Sequence, residues 1–225
     1  MALSLSAEGI TYVRPHEWDV ALSYRFLHSD SIFVGDTERP DIANPNGPRL
    51  DMHAVDVLLT YAWSPRFSST LVLPFTHTDL SSVRDHGDGM RHRTSAGGLG
   101  DLRLVGNAWL FDPLKSPNGN ISIGLGVKAP TGDTRVVDNY FTAGGVDLRP
   151  VDLSGQPGDG GWGVVLECQA FQRIFTNTFL YASGSYLINP REQNKTPTAF
   201  ALGGRLPASG PNVAGPDEMF NSVPD

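Results

Sequence analysis

The sequence predicts an all-β chain, an antiparallel meander of about seven strands curled into a transmembrane β-barrel that is C-terminally incomplete. Three observations carry that expectation. Seven segments alternate apolar and polar residues with period two, the mark of strands with two unlike faces. Every acid, lysine and arginine within them falls on the polar face. The connections alternate short and long, as in barrels with tight turns at one end and large loops at the other.

The first segment runs from Glu17 to Phe26, with Trp18, Val20, Leu22, Tyr24 and Phe26 against Asp19, Ala21, Ser23 and Arg25. The second, near Met52 to Trp63, sets Val55, Val57, Leu59, Tyr61 and Trp63 against Ala54, Asp56, Leu58 and Thr60. The third spans Phe67 to His77, with Leu71, Leu73 and Phe75 on its apolar face. The fourth, Leu99 to Phe111, opposes Leu102, Leu104, Ala108 and Leu110 to Asp101, Arg103, Asn107 and Trp109. The fifth, Ile121 to Ala129, opposes Ile121, Ile123, Leu125 and Val127 to Ser122, Gly124, Gly126 and Lys128. The sixth, Trp162 to Arg173, opposes Trp162, Val164, Leu166, Cys168 and Ala170 to Gly163, Glu167, Gln169 and Arg173. In the seventh, Phe179 to Ile188, Leu180, Ala182, Tyr186 and Ile188 oppose Tyr181, Ser183 and Ser185.

Such alternation also suits a β-sandwich, so the links decide. Ser64 to Arg66, Asp112 to Asn120 and Ile174 to Thr178 are short, whereas Leu27 to Asp51, Thr78 to Gly98 and Pro130 to Gly161 are long. A sandwich has little reason to put every long loop at one end. The aromatic residues agree: Trp18, Trp63 and Phe67 sit on the apolar face near the short turns, and Phe26, Phe75, Trp162 and Tyr186 sit on it near the long loops. Two interfacial girdles would look like this.

Composition narrows the function classes. A net charge of −7 gives no basic footprint for nucleic acid. The 25 glycines and 17 prolines point to many turns and against a helical protein. Cys168 is the only cysteine, so neither an internal disulfide nor a cysteine zinc site is available. No apolar run reaches the length of a membrane helix, and Met1 to Ser6 lacks the basic and apolar regions of a signal peptide.

Other motifs weigh less. Gly97-Gly98-Leu99-Gly100-Asp101 looks like a nucleotide loop, but such a loop needs a helix after it, and here a strand pattern follows. Asp79, Asp85, His86, Asp88 and His92 gather possible metal ligands without matching a known spacing, so a solvated loop explains them better. No nucleophile elbow is present, and neither enzymatic activity nor a cofactor is expected. Cys168, on the apolar face, reads as a small packed or lipid-facing residue. The polar-face residues Asp56, Asp101, Arg103, Lys128, Glu167 and Arg173 are the candidates to line a lumen, as a conduit or as internal pairs that only fill it.

The pieces Gly98-Leu99-Gly100-Asp101 and Gly124-Leu125-Gly126-Val127-Lys128-Ala129-Pro130-Thr131-Gly132-Asp133 resemble the outer-membrane β-barrel family named for the MetA pathway of phenol degradation. The opening Glu17-Trp18 strand with Tyr24 to Asp30, and the closing Gly204-Arg205-Leu206-Pro207 with Ser222 to Asp225, are similar to it too, so the resemblance spans nearly the whole chain. It implies a bacterial outer-membrane barrel that passes small, often aromatic or apolar, molecules by passive diffusion. Lipid and lipopolysaccharide would be its surroundings and a small-molecule permeant its ligand. It also implies further strands after Asp225, so residues 1–225 are expected to form one barrel domain lacking its signal sequence and its last strands. Two other readings stand beside transport: a structural or surface-interaction barrel with a closed lumen, and a soluble β-sandwich binding module.

The facing assignment makes a prediction. Arginine at Val57 or Leu125 is expected to lower folding yield into lipid vesicles, by about 2–4 kcal/mol at the bilayer midplane. Ser122→Arg, on the polar face, is expected to be far milder. Equal yields for the two faces would contradict the assignment.

Overall fold

Residues whose side chains alternate between two solvents gain most from an extended backbone, because only a period of two keeps each kind on its own side. The computed structural model describes residues 12–31, 33–34, 36–38, 40, 47–83, 86, 88–190, 193–197 and 220–222. Its strands are β1 (Trp18–Ser29), β2 (Phe33–Val34), β3 (Thr37–Glu38), β4 (Arg49–Ala62), β5 (Phe67–Ser82), β6 (His92–Leu99), β7 (Leu102–Trp109), β8 (Gly119–Ala129), β9 (Val137–Thr142), β10 (Gly145–Pro150), β11 (Gly163–Phe175), β12 (Thr178–Ile188), β13 (Gln193–Pro197) and β14 (Phe220–Ser222). All seven segments expected from the alternation are strands. The main sheet runs β1-β4-β5-β7-β8-β11-β12, every neighbour antiparallel, and curls into a half-barrel. β9 pairs with β10, β2 with β3 and β13 with β14 in separate small hairpins.

The register keeps one chemistry to each side. Val20, Leu59, Leu71, Leu104, Val127, Val164 and Ile188 form a single cross-strand row over all seven strands. None of them is buried, and all lie on the convex face. Leu22, Leu125 and Leu180 on the same face are 74%, 64% and 62% exposed. Val57 and Leu73 are half-buried, because they sit opposite each other in the middle of the face, with Leu22 paired on the far side of Val57. The aromatic residues Trp18, Phe26, Trp63, Phe67, Phe75, Trp162 and Tyr186 are all exposed. The tightly packed residues are on the concave side: Ala54, Leu58, Val72, Val105, Val165 and Phe171 among Asp56, Thr60, Thr70, Asn107, Ser122 and Gln169.

The curl has a local cause. Gly126 lies between Val105 and Val165 in one concave row. A methyl group at Gly126 would meet the Leu104 carbonyl oxygen at 2.4 Å and Val105 at 2.7 Å. One at Gly124 would meet Asn107 Oδ1 at 2.5 Å and Glu167 Cβ at 3.0 Å. With no side chain on β8 at these two positions, β7 and β11 approach each other over it and bury Val105 and Val165 together.

The structure amends the sequence reading in several places. The segment from Thr78 to Gly98, expected as a loop, holds the end of β5 and all of β6 but its last residue, and the two strands pair from Phe75↔Leu99 to Ser82↔His92. β6 and β7 are two pieces of one path along β5, broken at Gly100-Asp101. Gly100 N–H donates to the Pro74 carbonyl at 2.8 Å, but Pro74 has no N–H to return, so the ladder loses a bond there. The loop from Pro130 to Gly161 contains the β9–β10 hairpin and a 3-10 turn, Leu153–Gly155. Arg173, expected in the lumen, lies exposed at the short-turn end, where the β11–β12 register shifts between Arg173 and Phe175, and its guanidinium sits 5.0 Å from the Phe179 ring centre. Ser122 faces inward but is packed at 1% exposure, so the exposed Ser185 is the cleaner concave-face partner for an arginine comparison.

The crease at β8 predicts an asymmetry between glycines. Gly126→Ala is expected to destabilise the fold by about 1–3 kcal/mol through overpacking against backbone. Gly184→Ala, whose added methyl has nothing within 4 Å, is expected to stay within about 0.5 kcal/mol. Urea unfolding of both variants under identical conditions measures this, and equal midpoints would contradict it.

Candidate functional site

The concave face encloses a cavity of about 600 Å³. Its position follows from the register. β1 supplies Ser23, β4 Asp56 and Leu58, β5 Val72, β7 Arg103 and Asn107, β11 Glu167 and Gln169, and β12 Ser183 and Ser185. Each is a concave position of its strand, so the polar half of every alternating segment converges here. Of the three charged wall residues, Asp56 is neutralised in place: Arg25 Nε and the second guanidinium nitrogen donate to its two oxygens at 3.2 and 3.3 Å. Among the described residues, Arg103 and Glu167 have no ion pair.

At the long-loop end the cavity wall is locked by a buried ion cluster. Lys128, at the end of β8, faces Asp101 at 3.3 Å and is bonded closely to Asp159. Its side chain is only 5% exposed. Asp101 also accepts the Gly132 and Asp159 N–H groups at 2.9 and 3.1 Å. Thr131 ties the same backbone together, its hydroxyl donating to the Gly100 carbonyl and accepting from Leu102 N–H. Gly132 and Gly158 touch backbone to backbone, so closely that a methyl on either would lie within 2.7 Å of the other. Burial pushes the Asp101 carboxyl up from the ordinary value. Burial also pushes at Asp159, but the Lys128 ammonium and the Gly161 N–H outweigh it and hold that carboxyl below the ordinary value. Asp101 and Lys128 are thus structural anchors of the loop rather than wall residues of the cavity.

The anchored loop folds inward. Gly155 packs on Thr78 of the concave β5 surface and Pro157 on Gly98 and Gly100. Gln156 bridges Val136 and Val151 through three hydrogen bonds. Asp138 accepts Ser95 N–H at 2.7 Å, and His86 Nδ1 accepts Phe141 N–H at 3.2 Å. His92 stacks on Phe141 with ring centres 3.9 Å apart and hydrogen-bonds Asp88 at 2.6 Å. His86, Asp88 and His92, candidates for metal ligands in the sequence, here hold the β9–β10 hairpin against β6. Asp85 lies outside the described residues. Asp79 is taken by Ser95 and Arg93.

The short-turn end is filled by Tyr12. Its ring meets Trp109 edge-on at 5.0 Å and Phe171 at 5.5 Å. Its hydroxyl donates to the Ser116 carbonyl at 2.8 Å and accepts from Asn120 Nδ2 at 3.0 Å. Burial raises its pKa despite the Asn120 bond. His16 N–H to the Ala62 carbonyl, at 2.7 Å, carries the segment across from β4. Cys168 lies exposed and borders the cavity between Glu167 and Gln169.

Tyr12, Asp159 and the inner hairpin were not singled out from the sequence. Asp159 is opposite Lys128 only because β11 begins at Gly163, the register partner of Lys128, and a long loop conceals that register. No family model matches the chain, and no curated protein matches it.

Removing the cation from the buried cluster leaves two carboxylates facing each other. Lys128→Met is expected to destabilise the fold by about 3–5 kcal/mol, and adding Asp101→Asn to it is expected to restore part of that loss. Urea midpoints of the single and double variants measure it. A double variant no better than the single one would contradict the assignment.

Proposed function

We propose that this chain is the greater part of an outer-membrane β-barrel whose concave cavity belongs to a passage for small molecules. The observation that carries the reading is the inverted distribution of chemistry across the sheet. Apolar side chains cover the convex face without burial, while charged and amide side chains line the concave one. An apolar surface of this breadth calls for lipid or a partner, and its width in β8 and β12, about ten residues per strand, suits a tilted strand crossing hydrocarbon. The resemblance to the MetA-pathway barrels supports the same reading. Passage needs no chemistry, only a water-filled lumen whose ends the loops control.

Among the described residues, no strand pairs with the outer edges of β1 and β12. In hydrocarbon an unpaired edge costs several kcal/mol per exposed N–H or C=O, so the reading requires further strands to close the sheet between them. A second reading, a barrel with a structural or surface-binding role and a closed lumen, is favoured by Tyr12 and the anchored loop, which occupy the two ends of the cavity.

Conductance separates the two. Reconstituted in planar bilayers, the protein is expected to conduct, and Tyr12→Ala is expected to raise the conductance well above that of Tyr12→Phe, which retains the ring. Absence of conductance in the parent and both variants, with insertion confirmed by protease protection, would favour the closed barrel.

A further inference from the structure

We infer that the passage takes small zwitterions, molecules of amino-acid type carrying both a carboxylate and an ammonium group, in preference to uncharged aromatic compounds. The inference rests on the passage reading and narrows it. Arg103 and Glu167 line one cavity, carry opposite charges, and have no ion-pair partner among the described residues. Both are half-buried on the concave face.

Their spacing follows from the register. Arg103 is level with Lys128 of β8 and Glu167 with Gly124. In a flat sheet that places them roughly 13 Å apart along the strands and about 10 Å across them. The crease over Gly124 and Gly126 shortens the crossing, and two long side chains shorten it further. They are thus outside ion-pair distance of each other, yet both line the same cavity.

An uncharged aromatic solute entering this space strips water from Arg103 and Glu167 and returns no hydrogen bond to either, which is costly for charged groups. Leu58 and Val72 give it apolar wall, but neither pairs with the two charges that it has dehydrated. A single anion is attracted by Arg103 but repelled by Glu167, and a single cation the reverse. A zwitterion satisfies both at once, with Asn107, Gln169, Ser183 and Ser185 as neutral hydrogen-bonding groups around it. The volume of about 600 Å³ lies within the usual range for small-molecule sites.

Swelling of vesicles holding the reconstituted protein tests this with three solutes that do not cross lipid: glutamine, arabinose of similar size, and phenyl glucoside. Glutamine is expected to enter several-fold faster than arabinose, and phenyl glucoside slowest. In the Arg103→Gln/Glu167→Gln double variant the ratio of glutamine to arabinose is expected to collapse toward that of free diffusion. Arg103→Gln alone is expected to move the reversal potential toward cation selectivity, and Glu167→Gln alone toward anion selectivity. Equal entry of glutamine and arabinose, fastest entry of phenyl glucoside, or a ratio unchanged in the double variant would overturn the inference while leaving the passage intact. If no solute enters through either the parent or Tyr12→Ala, the passage reading falls and this inference with it.

Discussion

Strand register is the constraint on which the rest of this molecule depends. A slip of one residue between any two neighbours would turn a strand over and carry its charges to the convex face. In β4 that slip would expose Asp56 and bury Val55, Val57 and Leu59, and in β8 it would expose Lys128. The row from Val20 to Ile188 shows the constraint met in every strand of the main sheet. Because the charges are confined to one side, they converge as the sheet curls. The cavity is therefore a consequence of facing plus curvature, and β7 and β11 draw together where β8 has glycine in place of side chains.

The two ends of the cavity are built on different principles. The long-loop end is held by charge: one lysine between two carboxylates, with backbone N–H groups of Gly132 and Asp159 completing the cluster. Ion clusters so little exposed are expensive to break, and this one sits where a long loop leaves the sheet and where it returns. The short-turn end is held by three aromatic rings and the two hydrogen bonds of one tyrosine hydroxyl. Such a contact is local, and it is the easier of the two to open.

Legibility in the sequence followed the period of the pattern. β1, β4, β5, β8, β11 and β12 alternate for ten residues or more, and their presence and facing could be read directly. β6 could not: His92-Arg93-Thr94-Ser95-Ala96-Gly97-Gly98 has no large apolar side chain on either face, because the loop and hairpin cover its inner side with Tyr140 and Phe141 instead. Arg103, Asp56 and Glu167 were legible as cavity residues because they lie mid-strand. Arg173 keeps its period-two position opposite Phe179 but lies at the strand end, exposed and beyond the cavity, and alternation alone does not mark how far along a strand the cavity extends. Asp101 and Lys128 were legible as inward-facing but not as a cluster, since their partner Asp159 comes from a loop whose return point no pattern marks.

The central claim is that the convex face meets lipid and the concave face does not. The four tryptophans divide along that line: Trp18, Trp63 and Trp162 are exposed on the convex side, and Trp109 points inward against Tyr12. Single-tryptophan variants reconstituted in vesicles of brominated lipid report contact with acyl chains through fluorescence quenching. The account predicts strong quenching of Trp18, Trp63 and Trp162 and little of Trp109. Equal quenching of all four, or quenching of none, would contradict it.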